Sequence, residues 1–203
     1  MKHGQRFIDK CLSTPVIDEP WPHQIIDETL DKDVFEKLQA QCELHLTRPI
    51  KELIQITPTQ YKDYGIDFID ETQDICEKLY DNMKALHDVY PNYRHYLNMG
   101  INVHISVAPP LPWKFYIHQE GIEKTWSSVT YITPKDNVGT KMYSKQNEKN
   151  FVQEAKWKPN STFIFCGQQN KTWHSYESNQ TSNRITLNFF IMKTRKNKCF
   201  FTG

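Results

Sequence analysis

Apolar residues recur at helical spacing along two stretches of the N-terminal half. The first stretch runs from Asp31 to Leu46, and Asp31 is placed to cap its first turn. Its apolar stripe consists of Val34, Phe35, Leu38 and Cys42. The second stretch is expected from about Asp70 to Tyr90, where Pro91 would end the helix. Both stripes are interpreted as the packed faces of amphipathic helices, without a chemical role.

Beyond Gly100 the apolar period changes from helical to two, which is typical of β-strands. The first strand alternates through Ile101, Val103, Ile105 and Val107. Further strands are predicted at Phe115–Gln119, Trp126–Ile132, Thr140–Ser144, Thr162–Cys166 and Arg184–Ile191. Many short strands separated by turn-forming clusters favour a mainly β architecture, a barrel or double-sheet jelly roll, supported by the two N-terminal helices.

The last predicted strand, in "NRITLNFFI", has two chemically different faces. Ile185, Leu187, Phe189 and Ile191 share the apolar one, and Arg184, Thr186, Asn188 and Phe190 share the other. A buried guanidinium without an anionic partner costs roughly several kcal/mol. Arg184 therefore pairs either with an acidic side chain or with a ligand carboxylate. A ligand carboxylate would be held bidentately by Arg184 and hydrogen-bonded by the Thr186 hydroxyl.

Length and charge restrict the protein class. A chain of 203 residues with 38% hydrophobic and 13% aromatic residues is expected to fold as a single domain over 1–203. Its predicted parts are an N-terminal segment over 1–99, a jelly-roll core over 100–192 and a basic tail over 193–203. The 25 basic and 24 acidic side chains give a net charge of +1. This balance argues against binding to duplex nucleic acid or to an anionic membrane.

The cysteines are five in number and widely scattered, with no C-x-x-C spacing, so reduced thiols are expected. They are Cys11, Cys42, Cys76, Cys166 and Cys199. The N-terminal residues contain no apolar run long enough for a signal peptide, and no later run approaches a membrane span. A cytoplasmic location is expected from these features.

Candidate metal ligands occur in "KFYIHQEGIEK", where His118 and Glu120 lie two residues apart in a predicted strand and therefore share a face. Tyr116 falls on the same face and is expected to point inward. Taken alone, such a pair is more often an exposed ion pair than a metal site. His174, in "KTWHSYES", follows a strand-like run, and Arg184 comes ten residues later. Two imidazoles and one carboxylate form the facial triad of Fe(II), which leaves about three of six coordination positions open.

The order of these features resembles the iron(II)- and 2-oxoglutarate-dependent oxygenases. "IEKTWSSVTYITP", "VGTKMY", "FVQEAKWKPNSTFIF" and "KTWHSYES" are similar in order and spacing to the small prolyl-hydroxylase-like members of bacteria and phages. The resemblance implies a double-stranded β-helix with iron and co-substrate inside. It implies that His118, Glu120 and His174 bind Fe(II), and that Arg184 and Thr186 hold the C5 carboxylate of 2-oxoglutarate. The implied reaction consumes O2, hydroxylates a substrate and releases succinate and CO2.

The sequence departs from this family at Glu120, where most members have aspartate. The extra methylene moves the carboxylate by roughly one C–C bond, against a tolerance of about 0.2 Å in metal–ligand distance. Glu123 is an alternative candidate for the carboxylate ligand, although it falls outside the motif. A rival interpretation is a non-catalytic jelly-roll binding module with a degenerate metal site. A nucleic-acid dioxygenase is a further alternative, although "RITLNFF" lacks the second arginine of that group.

Other residues are expected near the pocket. His104 falls on the polar face of its strand, and the resemblance places Lys124 and Tyr131 close to the ligands. Trp126 and Trp157 are assigned to core or lid packing. The substrate, small molecule or peptidyl, is not identified by the sequence, and neither is the oligomeric state.

Overall fold

A computed structural model describes residues 3–90 and 98–194 of the protein. Its strands, in chain order, are β1 (His23–Ile26), β2 (Ile54–Ile56), β3 (Met99–Ala108), β4 (Lys114–His118), β5 (Lys124–Thr133), β6 (Thr140–Tyr143), β7 (Phe151–Ala155), β8 (Thr162–Phe165), β9 (Trp173–Glu177) and β10 (Arg184–Lys193). A six-stranded sheet has the order β1-β8-β5-β10-β3-β2, and a four-stranded sheet has the order β4-β9-β6-β7. Neighbouring strands are antiparallel throughout both sheets.

The helices are α1 (His3–Ser13), α2 (Lys32–His45), α3 (Ile69–Asp81) and α4 (Met83–Asp88), with short 3-10 helices at Pro58–Tyr64 and Glu148–Asn150. The helix predicted over 31–46 is confirmed, but Asp31 makes no side-chain capping bond. Its carboxylate instead contacts His3 at 2.7 Å and Arg6 at 3.2 Å. The attraction of these two basic side chains on α1 competes with capping.

The prediction of one continuous helix from about residue 70 to 90 is wrong in one respect. The segment forms two helices, α3 and α4, which are separated at Asn82. The Asn82 side-chain amide donates to the Lys78 carbonyl at 2.9 Å, and the Asn82 backbone N–H also bonds that carbonyl. Asparagine side chains compete in this way with regular helical bonding. The predicted stop at Pro91 lies outside the described residues.

The hydrophobic core lies between the helices and one face of the large sheet. Leu38 of α2 and Leu79 of α3 belong to the same buried cluster as Ile185 and Leu187 of β10. The opposite face of β10, carrying Arg184, Thr186, Asn188 and Phe190, lines a cavity between the two sheets. The alternation predicted for this strand is therefore confirmed.

Two sheets of this topology, with helices against the larger one, confirm the predicted double-stranded β-helix. The N-terminal segment supplies more than the two predicted helices. It adds α1 and two short edge strands, β1 beside β8 and β2 beside β3. Strands β7 and β9 were also not predicted, and His174 lies within β9 rather than after a strand.

Four of the five cysteines, Cys11, Cys42, Cys76 and Cys166, are buried in the hydrophobic core. Cys199 and residues 195–203 of the basic tail lie outside the described residues. Within residues 3–90 and 98–194, no helix combines the length and the apolar character needed to cross a bilayer.

Candidate metal and co-substrate site

His118 and His174 face each other on neighbouring strands of the small sheet. They are register partners in the β4–β9 pair, and their ring centroids are 4.2 Å apart. Each ring places Nδ1 near a backbone carbonyl two residues earlier, Tyr116 O at 3.0 Å and Thr172 O at 2.9 Å. If Nδ1 donates in both rings, Nε2 is left with a free lone pair, the arrangement usual for metal-binding histidines.

Glu120 completes a compact cluster with the two histidines. One ligand atom from each of His118, Glu120 and His174 lies within 4.8 Å of the others. Glu120 Oε1 is 4.0 Å from His174 Nε2 and accepts a hydrogen bond from Ser127 Oγ at 3.4 Å. Its second oxygen, Oε2, is 3.0 Å from Lys124 Nζ. The carboxylate is therefore buried with one oxygen toward the histidines and one toward a cation.

The alternation expected through this segment is wrong at Tyr116, and the strand is shorter than predicted. Strand β4 ends at His118, so Glu120 reaches the cluster from the following loop. Tyr116 points outward and is 67% exposed, while Phe115 lines the cavity in its place. The cause is a register shift between Phe115 and His118 in the pairing with β9, because one irregular position inverts the facing of its neighbours. Glu123 is exposed and does not belong to the cluster.

Burial sets the protonation of the cluster. It lowers the pKa of His118, and burial together with the neighbouring His118 lowers the pKa of His174 to about 4. Burial by itself would raise the pKa of Glu120, but His174 and Lys124 outweigh it and hold that pKa below its usual value. At neutral pH the site therefore presents two neutral imidazoles and one carboxylate, which are the protonation states that bind a metal.

The side chain of Arg184 lines the same cavity. Among the described residues no carboxylate oxygen lies within 4.0 Å of its guanidinium nitrogens, which excludes the ion pair considered from the sequence. One NH2 group donates to Thr140 Oγ1 at 3.3 Å, whereas Nε is buried and has no hydrogen-bond partner in the part of the chain that the structure describes. Arg184 is 2% exposed, and its guanidinium is therefore a buried cation in need of an anion.

Aromatic rings surround this guanidinium. The distance from Arg184 Cζ to the ring centroid is 5.3 Å for Tyr131, 5.3 Å for Trp157 and 4.8 Å for Tyr176. Such contacts stabilise a cation in the absence of a carboxylate. The sequence assigned Trp157 to packing only and gave no role to Tyr176. Tyr131, Trp157 and Tyr176 come from different strands and loops, so only the folded structure shows that all three rings contact Arg184.

Two more buried polar atoms in the cavity have no partner among the described residues. They are Thr186 Oγ1 and Asn188 Oδ1, on the same face of β10 as Arg184. Buried polar atoms in folded proteins are almost always satisfied, so a row of unsatisfied ones marks a place for a polar ligand. His104 also lines this cavity, where burial and the nearby Lys124 lower its pKa to about 4.

The loop before β9 is fastened to the segment that carries Glu120. Gln169 Nε2 donates to the Glu120 carbonyl at 3.3 Å, and Gln119 Nε2 donates to Gln169 Oε1 at 2.6 Å. A Cβ on Gly167 would lie 2.8 Å from the Lys124 carbonyl oxygen, so only glycine permits this close approach. The positions of Glu120 and Lys124 are thus set by contacts from a distant part of the chain.

Comparison with known proteins finds similarity in structure but not in sequence. No family model matches the chain, and no curated protein does either. A prolyl hydroxylase from Trichoplax adhaerens, solved with a hypoxia inducible factor oxygen degradation domain peptide fragment, aligns over 94% of this chain and 89% of its own, with 9% identity and a TM-score of 0.60.

Two further structures are similar. The viral collagen prolyl hydroxylase of Paramecium Bursaria Chlorella virus-1 aligns over 90% of this chain and 96% of its own, at 15% identity and a TM-score of 0.57. A prolyl-4-hydroxylase from Pseudomonas putida aligns over 94% and 99%, at 13% identity and a TM-score of 0.53. At these identities the comparison establishes the fold, and the chain has the double-stranded β-helix fold that these prolyl hydroxylases share.

Proposed function

We propose that the protein is an iron(II)- and 2-oxoglutarate-dependent oxygenase that hydroxylates a substrate and releases succinate and CO2. One observation carries the proposal. The His118–Glu120–His174 cluster lines the same cavity as Arg184 Nε and Thr186 Oγ1, two buried donors without a partner among the described residues, inside a fold shared with prolyl hydroxylases. A metal site and an anion site side by side are what this reaction requires, because its co-substrate is a dicarboxylate that chelates the metal.

The donor set fits Fe(II). His118 and His174 offer neutral Nε2 atoms, and Glu120 offers one carboxylate oxygen, which together make the two-histidine, one-carboxylate triad. When bound, iron and 2-oxoglutarate supply an oxidative decarboxylation in which O2 converts 2-oxoglutarate to succinate and CO2 and a substrate C–H to C–OH. The backbone carbonyls of Tyr116 and Thr172 fix the ring orientations of the histidines.

The co-substrate's remote carboxylate would bind at the unpaired polar atoms of β10. Arg184 Nε and Thr186 Oγ1 are buried donors without partners in residues 3–90 and 98–194, so both are available to a carboxylate. Tyr131, Trp157 and Tyr176 surround the guanidinium and exclude water from it. In this low-dielectric environment the charge-assisted bonds are stronger than they would be at the surface.

A peptidyl substrate is the first class to test. The similar Trichoplax structure holds a peptide fragment, and the viral relative is a collagen prolyl hydroxylase. A proline-containing peptide is therefore the first probe, with small molecules as the alternative class.

The decisive experiment is anaerobic addition of Fe(II) and 2-oxoglutarate. The proposal expects a visible charge-transfer band from the metal–co-substrate chelate, which disappears in His174→Ala and persists in His45→Ala, a variant at an exposed histidine of α2. Admission of O2 should then release succinate. Absence of the band from the wild-type protein would refute the proposal.

Two rival functions predict other results. A non-catalytic binding module would bind ligand in the cavity without releasing succinate. A nucleic-acid dioxygenase would bind labelled single strands at moderate salt, which the net charge of +1 does not favour.

A further inference from the structure

Lys124 makes two contacts inside the cavity. Its Nζ lies 3.0 Å from Glu120 Oε2 and 4.1 Å from the centroid of the Phe190 ring. The Lys124 side chain is 29% exposed, whereas that of Glu120 is 9% exposed. The ammonium group is therefore directed inward at the carboxylate, although a lysine at this position could extend to solvent.

Glu120 needs such a contact more than an aspartate would. A glutamate has one more rotatable bond, so its backbone position determines the carboxylate position less closely. Glu120 also follows the end of β4, in a loop rather than in the strand itself. Yet a metal site tolerates about 0.2 Å in ligand distance. A second contact on the distal oxygen would remove this freedom and leave Oε1 directed at the histidines.

Lys124 is itself held in place by its surroundings. Its backbone begins β5, its N–H donates to the Gly121 carbonyl at 2.9 Å, and its own carbonyl is closely approached by Gly167. The aromatic face of Phe190 supports the ammonium from the β10 side. A fixed cation can position a carboxylate, whereas a mobile one would follow it.

We propose that Lys124 is a positioning residue that holds the Glu120 carboxylate in the orientation in which a single oxygen, Oε1, binds the metal. This inference rests on the proposed function. The ion pair with Lys124 would fix the position of the Glu120 carboxylate, which in an aspartate the shorter side chain would fix. The contact therefore explains how a glutamate can serve as a ligand at this position. Outer-sphere partners of this kind typically change metal affinity by roughly ten- to a hundredfold when removed.

The test measures metal binding and not turnover, by anaerobic titration with Co(II) followed by visible absorption. Lys124→Met removes the charge and keeps the apolar stem, while Lys124→Arg keeps the charge. Lys141→Met is the matched control, because Lys141 is as exposed as Lys124, at 29%, and forms an ion pair with Glu177 that lies outside the cluster.

Lys124→Met should weaken Co(II) binding by roughly ten- to a hundredfold. Lys124→Arg should recover most of the loss, and Lys141→Met should bind like the wild type. Thermal unfolding of each variant separates local from global effects. Should Lys124→Met fail to fold, Lys124→Gln replaces it, since glutamine keeps an N–H donor without the charge. It should bind Co(II) more weakly than Lys124→Arg.

The failures of this inference and of the proposed function are distinguishable. Wild-type protein that binds no Co(II) would refute the proposed metal site itself. Wild-type protein that binds Co(II), with Lys124→Met or Lys124→Gln binding as tightly as Lys141→Met, would refute only the role of Lys124.

Discussion

Arg184 and Thr186 lie two residues apart on the cavity face of β10, and each has a buried polar atom without a partner among the described residues. Leaving such a group unsatisfied costs about 1–3 kcal/mol. Two adjacent unsatisfied donors, one of them cationic, are therefore best explained by a ligand carboxylate that satisfies both. This relationship leads to the first two predictions.

Replacing Arg184 by leucine should weaken 2-oxoglutarate binding by roughly ten- to a hundredfold, because a hydrogen bond to a charged group contributes about 1.5–3 kcal/mol. Binding is measured anaerobically with Fe(II) present, from the dependence of the charge-transfer band on co-substrate concentration. Arg6→Leu is the control, since Arg6 lies on α1 and contacts Asp31. Equal affinity in wild type and Arg184→Leu would contradict the assignment.

Thr186→Val should weaken the binding of 2-oxoglutarate without lowering the stability of the ligand-free protein. The Thr186 hydroxyl has no hydrogen-bond partner among the described residues, so its loss should leave the free energy of unfolding unchanged or raise it by up to about 1 kcal/mol. The stabilisation produced by adding 2-oxoglutarate and Co(II) should decrease, because one hydrogen bond to the carboxylate is lost.

The matched control is Thr130→Val on β5, where Thr130 Oγ1 lies 2.7 Å from Thr162 Oγ1. This variant should lower the unfolding free energy by about 1 kcal/mol, because it breaks a buried hydrogen bond. A Thr186→Val protein that is destabilised as much as Thr130→Val would show that Thr186 has a partner in the folded chain.

Glu120 is predicted to be a metal ligand despite its length. Glu120→Ala should abolish tight Co(II) binding and succinate release together. Glu120→Asp should also weaken Co(II) binding, since the shorter carboxylate falls short by about one bond length and loses its contact with Lys124. Glu123→Ala, at an exposed residue of the same loop, should bind Co(II) like the wild type. Wild-type affinity in Glu120→Ala would exclude this ligand.

His23 is predicted to make stability pH-dependent. It is fully buried on β1, and burial lowers its pKa below the usual 6.5. Between its folded and unfolded pKa values the unfolded chain binds more protons, so its contribution to stability is present above pH 6.5 and is lost as pH falls toward the folded pKa. Unfolding free energies measured between pH 7 and 5 should therefore fall less steeply for His23→Gln than for wild type. The control His45→Gln should keep the wild-type slope.

The long strands could be predicted because their pattern is local. Strands β3 and β10 each have ten residues, enough for several repeats of alternation, and the apolar face of each is buried in the core that also contains the helices. Strands β1 and β2 have four and three residues, too few for a pattern to stand out from chance. They become strands because the edges of the large sheet offer them hydrogen-bond partners.

The sequence by itself determined the order of the candidate ligands, which is a property of the chain alone. It also determined the two faces of β10, because these follow from the spacing of residues along one strand. Only the tertiary structure decided the orientation of Tyr116, which depends on a register shift against β9. It also decided that Lys124 reaches Glu120 and that the Arg184 guanidinium has no acidic partner among the described residues. Whether a buried polar group is satisfied depends on all the elements around it, and these meet only when the chain is folded.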